Sequence, residues 1–136
     1  MLKLFVFFGL LLGTANLGIA AEKLSKGTSE AVLIKQGAVR LSASQIRGLL
    51  VGSTEAAKYE RSKWPVTFYA PDGMMYIKLP SGKRTVEGYK LKSDGGVCYG
   101  SSFSKCHYFY RVKGELVAVR SGRVLGVATI SRGKRL

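Results

Sequence analysis

Turn-forming residues recur at short intervals through the second half of the chain, and this spacing constrains the fold more than any other feature. Gly, Pro, Asp and Ser supply the backbone conformations that tight turns need. The clusters are Pro71-Asp72-Gly73, Pro80-Ser81-Gly82, Ser93-Asp94-Gly95-Gly96, Gly100-Ser101-Ser102, Lys113-Gly114 and Ser121-Gly122. The runs between them are rich in aromatic and β-branched residues, such as Val66-Thr67-Phe68-Tyr69. This pattern indicates antiparallel hairpins in sequence order, a meander.

One helix is predicted ahead of these strands, over residues 41–52. Ser42 and Gln45 have the spacing of a capping box, in which each side chain accepts from the other residue's backbone N–H. An apolar face with i, i+3, i+4 spacing follows, made of Ile46, Leu49 and Leu50. So short a helix is stable only when that face is buried. We therefore expect an α+β fold, mostly β, with one short helix packed on an antiparallel β-meander.

The first twenty residues have the layout of a secretory signal peptide. Lys3 precedes an apolar run that ends at Gly13, and the small residues Gly18 and Ala20 suit the positions before a cleavage site. The run is short for a bilayer span, which needs about 20 residues. We expect cleavage after Ala20, with Ala21 as the next best position. We also expect export to the periplasm or beyond the cell, and no transmembrane segment in the mature chain.

The mature chain is expected to form one domain. Residues 1–20 are the predicted signal peptide, and residues 21–40 begin with small and polar residues that predict a loose lead-in. Residues 41–136 are enough for a single α+β domain. An apolar run within the lead-in, Ala31-Val32-Leu33-Ile34, fits either a strand or a helical turn.

Cys98 and Cys106 are the only cysteines, and export favours their oxidation to a disulfide. A metal site would need more ligands than these two and the single His107 supply, and a redox pair is more often spaced C-x-x-C. In a hairpin centred on Ser102 the two cysteines lie opposite each other, at a separation that suits a disulfide. The same register predicts an inward face of Cys106, Tyr108, Tyr110 and Val112 and an outward face of His107, Phe109 and Arg111.

The chain is strongly basic, with 22 Lys and Arg against 8 Asp and Glu and a formal net charge of +14. Such a charge attracts anionic partners, which here include lipid or lipopolysaccharide headgroups, acidic polymers and acidic proteins. The alternative is a surface that only keeps the protein soluble. The charge is concentrated in residues 105–136, where Glu115 is the only acid. The candidate contacts with an anionic partner are Lys105, Arg111, Lys113, Arg120, Arg123, Arg132, Lys134 and Arg135.

Motifs for catalysis and nucleotide binding are missing from the sequence. There is no G-x-S-x-G, no H-E-x-x-H and no phosphate-cradling glycine loop. We therefore expect a protein that is not an enzyme and that uses no cofactor and no metal. A cryptic enzyme would require a deep pocket that joins His107 to an acid. The acids without another predicted place are Glu55, Glu60, Glu87 and Glu115.

Two binding hypotheses follow from the charge and the aromatic residues. The leading one is an exported module that binds an anionic envelope component through the basic residues of 105–135. The second is a protein-binding inhibitor or accessory factor of the periplasm, which uses exposed aromatics, with Phe109 and Tyr76 as candidates. A nucleic-acid partner is not expected, because aromatic residues are common in strands and export separates the protein from most nucleic acid.

Several motifs, taken in order, resemble a group of small exported proteobacterial proteins. The first is the capped helix with Ile-Arg, two leucines and Gly-x-Thr, within residues 41–54. The others are Tyr69-Ala70-Pro71-Asp72-Gly73, Glu87-Gly88-Tyr89, Ser93-Asp94-Gly95, Cys98, Cys106 and Tyr110-Arg111-Val112-Lys113-Gly114. Relatives often carry a tryptophan where Tyr89 stands. The resemblance covers residues 41–114 and implies an exported α+β domain. The group has no established activity, so no catalytic residues are implied.

Overall fold

The computed structural model describes residues 24–136, so the predicted signal peptide lies outside the described residues. This part of the chain forms nine strands and two short α-helices. The helices are α1 (Glu30–Lys35) and α2 (Ala43–Leu50), and two 3-10 turns span Arg61–Lys63 and Ser101–Phe103. The strands are β1 (Val39–Arg40), β2 (Ser53–Ala57), β3 (Val66–Tyr69), β4 (Met74–Lys78), β5 (Arg84–Leu91), β6 (Val97–Tyr99), β7 (Lys105–Val112), β8 (Glu115–Arg120) and β9 (Arg123–Arg132).

Strands β2 to β9 form a closed, eight-stranded, antiparallel barrel. Each strand pairs with the next along the chain, and β9 pairs back with β2. The two-residue β1 pairs with the end of β7. Closure pairs every strand of the barrel on both sides, which removes free sheet edges. A barrel of eight strands has room inside for packed side chains or for one small ligand.

The predicted fold class, α+β with one short helix packed on an antiparallel β-meander, is wrong. The strands follow the predicted meander order and the protein is mostly β, but the meander closes into a barrel. Closure depends on pairs such as Ser53 with Arg132, which join the two ends of the meander. Local turn signals carry no information about such distant pairs, and the interior of the barrel replaces the sheet face on which a helix layer would pack.

The connections between the strands gather at two ends of the barrel, because the strands run alternately up and down. One end, which we call the helix end, holds α2 and the turns at 70–73, 92–96 and 113–114. The other, which we call the open end, holds the connections at 58–65, 79–83, 100–104 and 121–122. The two ends differ in what fills them.

Helix α2 fills the helix end, and its prediction is confirmed. Ser42 and Gln45 form the predicted capping box. Ile46 and Leu50 are fully buried and belong to the cluster of apolar residues in the barrel interior. At Gly95, a side chain would collide with the carbonyl oxygen of the residue before the cap, so glycine lets the β5–β6 turn approach the helix.

Residues 24–40 are not the loose lead-in that the sequence predicts. Helix α1 begins after Ser29, whose side chain accepts from the backbone N–H of Val32. Helix α1 covers the outside of the barrel, and its Leu33 is fully buried there between the helix and the strands, beside Tyr110 and Val117. A second apolar cluster therefore covers the outside of β7, β8 and β9, and it ties the segment down because apolar area is removed from water.

The disulfide and its register are confirmed, but the two faces of β7 are the reverse of the prediction. Cys98 pairs with Cys106 across the β6–β7 hairpin, with a Cα–Cα distance of 4.1 Å. Phe109 lies in the barrel interior, whereas Tyr110 lies on the outer surface under α1. Both faces of this strand are covered, so apolar character alone does not distinguish the inside from the outside.

Candidate functional site

A cavity of ≈ 320 Å³ occupies the barrel interior at the open end. Its apolar walls include Met75, Ile77, Leu79 and Leu125. Three cations also line it, and they come from three separate segments: Lys26 before α1, Lys63 in the β2–β3 connection and Arg120 at the end of β8. Mainly apolar walls with a few polar groups are typical of small-molecule sites.

The β2–β3 connection places Trp64 on the cavity wall. The indole ring packs against the backbone of β9 at Gly126, where a Cβ atom would lie 2.9 Å from Cζ3 of the ring. Only glycine leaves room for this contact. Trp64 is also the only tryptophan of the chain, so tryptophan fluorescence reports on the surroundings of this one residue, which lies on the cavity wall.

A buried carboxyl group, Glu55 of β2, lies inside the cavity. Its residue is only 4 % exposed, and the hydroxyl group of Tyr69 donates a hydrogen bond of 2.6 Å to Oε2. Burial raises the pKa of Glu55 to about 7, and the hydrogen bond from Tyr69 opposes that rise. Burial and the nearby Glu55 raise the pKa of Tyr69 well above its ordinary value. Glu55 therefore changes its charge near neutral pH, while Tyr69 stays a donor.

A hydrogen-bonded chain of Arg120, Tyr99 and His107 forms another wall. Nη1 of Arg120 donates to the Tyr99 hydroxyl at 3.2 Å, and that hydroxyl lies 2.8 Å from Nε2 of His107. Burial, with a smaller contribution from Arg120, lowers the pKa of His107 to about 4. We therefore assign a neutral imidazole that accepts at Nε2 and carries its proton on Nδ1.

The cavity thus brings together a carboxyl group and an imidazole whose pKa values are shifted in opposite directions. The pocket that a cryptic enzyme would require exists: it is lined by His107 and, of the four unplaced glutamates, by Glu55 alone. Both groups already have one hydrogen-bond partner each. Within residues 24–136, no three or more His, Cys, Asp and Glu side chains are grouped to hold a metal ion.

The eight basic residues that the sequence selects are all exposed, but they do not form one face. Lys105, Arg120 and Arg123 lie at the open end, and Arg120 is the one that lines the cavity. The other five lie toward the helix end: Arg111, Lys113, Arg132, Lys134 and Arg135. Arg132 donates to the Val51 carbonyl at 3.1 Å, which fastens β9 to α2. That these residues contact an anionic partner stays a prediction.

Of the two aromatic residues selected from the sequence, Phe109 is placed wrongly. It is fully buried in the barrel interior, because the face of β7 that carries it points inward. Tyr76 is half-buried on the outer surface, and the ammonium group of Lys134 lies 4.3 Å from its ring centre.

Several residues of the cavity carry no clear signal in the sequence. Glu55 belongs to a short strand, Ser-Thr-Glu-Ala-Ala, in which no alternation shows the direction of the side chain. Lys26 and Lys63 lie in segments that read as polar connections. The one usable signal is the single tryptophan, Trp64, which is followed by proline at the end of a connection.

The described structure therefore defines a class: a small, disulfide-linked, up-and-down β-barrel with a cavity at one end. Comparisons of the chain with protein-family models, curated proteins and solved structures gave no match. No helix within residues 24–136 is long and apolar enough to cross a membrane. The resemblance to exported proteobacterial proteins stays a prediction.

Proposed function

We propose that the protein is an exported binding module that holds one small, anionic, amphiphilic ligand in its barrel cavity. The observation that carries this proposal is a largely apolar cavity of ≈ 320 Å³ lined also by Lys26, Lys63 and Arg120. The anionic partner inferred from the charge is then a small molecule with an apolar body, for which fatty acids are the simplest chemical example.

The position of the three cations supports this ligand class. They come from segments far apart in sequence, yet all three line a single cavity. Arg120 is further held by its hydrogen bond to Tyr99. A hydrogen bond between a charged donor and a carboxylate contributes about 1.5–3 kcal/mol, more than a neutral one does. The apolar body of the ligand would contact Trp64, Leu79 and Leu125.

Export is part of the proposal. A disulfide between Cys98 and Cys106 is compatible with a compartment outside the cytoplasm, where such bonds persist. The layout of residues 1–20 and the resemblance to exported proteobacterial proteins favour the same compartment. A periplasmic or secreted location would give the cavity access to lipids and their breakdown products.

The test uses Trp64 fluorescence of the purified protein. A medium-chain fatty acid, its alcohol and its methyl ester are titrated across a salt series. We expect saturable binding of the acid, at least tenfold tighter than that of the two neutral compounds and weaker at high salt. Equal affinity for all three compounds, or no binding of the acid, contradicts the proposal.

A matched pair of variants tests where the anion binds. Lys63→Gln removes a cavity cation, and Lys113→Gln removes an exposed cation at the helix end. We expect Lys63→Gln to weaken binding of the acid about three- to tenfold and Lys113→Gln to leave it unchanged. Equal effects would mean that net charge, and not the cavity, determines the affinity.

A second candidate function, acid–base catalysis on the bound ligand, is favoured by one observation: Glu55 and His107 share a cavity. A carboxyl group with a pKa of about 7 is suited to proton transfer near neutral pH. The test is mass spectrometry of each bound compound after long incubation with the wild type and with Glu55→Gln. Conversion by the wild type alone would support catalysis, and unchanged compounds would contradict it.

A further inference from the structure

The cavity has a negative group deep inside and positive groups nearer its opening. Glu55 lies in the middle of β2, whereas the β2–β3 connection with Lys63 follows the end of that strand and Arg120 ends β8. At about 3.3 Å of rise per residue, the carboxyl group is several ångströms further from the open end than the connection. A ligand that fills the cavity therefore meets both signs of charge.

The carboxyl group of Glu55 has spare capacity as a hydrogen-bond acceptor. Among residues 24–136, the Tyr69 hydroxyl is its one hydrogen-bond partner, and a carboxylate accepts up to four hydrogen bonds. A buried carboxylate without further donors is costly. A donor supplied by the ligand would remove that cost.

The walls around Glu55 suit a cationic donor. Tyr69, which donates to Glu55, and Tyr99 line the same cavity, and aromatic faces attract ammonium groups. The charged and titratable side chains that line the cavity with Glu55 are Lys26, Lys63, Tyr69, Tyr99, His107 and Arg120. Of these, the three cations are in the segments at the open end. They therefore lie closer to the outer part of a bound ligand than to an ammonium group at Glu55, which limits their repulsion of that group.

We propose that the ligand is an amino carboxylate with its charges at opposite ends of an apolar body: a protonated amine pairs with Glu55, and the carboxylate meets Lys26, Lys63 and Arg120. This inference rests on the proposed function: the carboxylate remains the anionic group that meets the cations, and the protonated amine, which makes the ligand a zwitterion, is a second recognition group. A free ammonium group with three N–H donors both neutralises the buried carboxylate and satisfies its remaining acceptor sites.

The pairing predicts a dependence on pH. In the empty cavity burial raises the pKa of Glu55 to about 7, and a bound ammonium group favours the ionised form. Below pH 7 the amine must displace a proton from Glu55, so affinity falls by up to tenfold for each pH unit. Above pH 7 it is constant until the amine itself loses its proton. His107 stays neutral across this range, because its pKa is lowered to about 4.

The experiment compares three series of increasing chain length: ω-amino, ω-hydroxy and unsubstituted carboxylic acids. Binding to the purified protein is followed by Trp64 fluorescence and calorimetry at pH 6 and pH 8. We expect one ω-amino acid to bind at least tenfold tighter than both counterparts of equal length at pH 8, and this advantage to shrink about five- to tenfold at pH 6. Glu55→Gln should abolish the advantage and leave binding of the unsubstituted acid intact.

The outcomes separate this inference from the proposed function. Equal affinity for the three series at both pH values contradicts the pairing of an amine with Glu55. It does not contradict the proposed binding of a carboxylate in the cavity. Failure of all three series to bind overturns the proposed function. Circular dichroism and thermal melting establish that Glu55→Gln is folded. If it is not, the pH dependence of the wild type decides, because only the ω-amino series is expected to gain affinity between pH 6 and pH 8.

Discussion

The two ends of the barrel are built from the same meander but are filled in opposite ways. At the helix end, α2 inserts Ile46 and Leu50 among apolar side chains, and both are fully buried. At the open end, no helix of the described chain enters, and the interior holds Glu55 and His107 instead. The helix end therefore supplies stability, and the open end keeps space and polar groups that a stable core does not need.

Shifted pKa values support this division. Burial raises the pKa of Glu55 to about 7 and lowers the pKa of His107 to about 4. Both residues line the cavity. Buried titratable groups cost folding energy unless they are well paired, and they are concentrated at functional sites. The four predictions below test whether the helix end supplies stability and the open end binds a ligand.

The largest expected effect on stability is at the helix end, from Leu50→Ala. The side chain is fully buried, and truncation of such a leucine costs about 2–5 kcal/mol in free energy of unfolding. Chemical denaturation followed by Trp64 fluorescence measures the loss. The matched control is Leu125→Ala in the cavity wall, half-buried, which should cost less stability but weaken ligand binding. The reverse pattern would contradict the division between the two ends.

At the open end, the two titratable groups should have opposite effects on stability as pH changes. The pKa of Glu55 is raised from 4.5 to about 7 on folding, so the folded state binds more protons and its contribution falls as pH rises between those values. The pKa of His107 is lowered from 6.5 to about 4, so its contribution rises with pH across that range. Each effect is about 3 kcal/mol in total, and the two cancel between about pH 4.5 and 6.5.

Single substitutions should uncover each slope. In Glu55→Gln, the free energy of unfolding should rise with pH between about 4.5 and 6.5, because the effect of His107 is no longer offset by that of Glu55. In His107→Gln, it should fall with pH between 4.5 and 7. Urea denaturation at closely spaced pH values measures both slopes against the wild type. Parallel pH profiles for the three proteins would show that neither group is buried as described.

The disulfide gives the third effect. It joins β6 to β7 beside the 100–104 connection at the open end. A replacement of both cysteines by alanine should cost about 2–3 kcal/mol, because closing even a short loop restricts the unfolded chain. It should also weaken ligand binding, since Tyr99 and His107 flank the bond. Dithiothreitol should lower the stability of the wild type and leave the double variant unchanged.

How far the sequence predicted this molecule depends on how local each feature is. The capping box of Ser42 and Gln45 and the register of Cys98 with Cys106 involve neighbours in the chain, and both are confirmed. Barrel closure and the direction of Phe109 depend on distant partners. The sequence did not predict the cavity for the same reason. Glu55 and Arg120 are far apart in sequence, and they line one cavity only because the meander closes.

The smallest effect should come from Gly126→Ala, which tests the open end through one contact. A Cβ atom there would lie 2.9 Å from Cζ3 of Trp64, so the indole ring must shift away from β9. Such overpacking costs about 1–3 kcal/mol, and we expect the lower part of this range because the ring borders a cavity that can accept it. Trp64 emission should change and ligand affinity should fall, because the ring would occupy ligand space. Gly48→Ala in α2, where the φ is not positive and a Cβ meets no atom within 4 Å, is the control for a glycine-to-alanine change and should leave Trp64 emission as it is. Unchanged emission in Gly126→Ala would mean that the tryptophan is not packed against β9 and does not form a wall of the cavity.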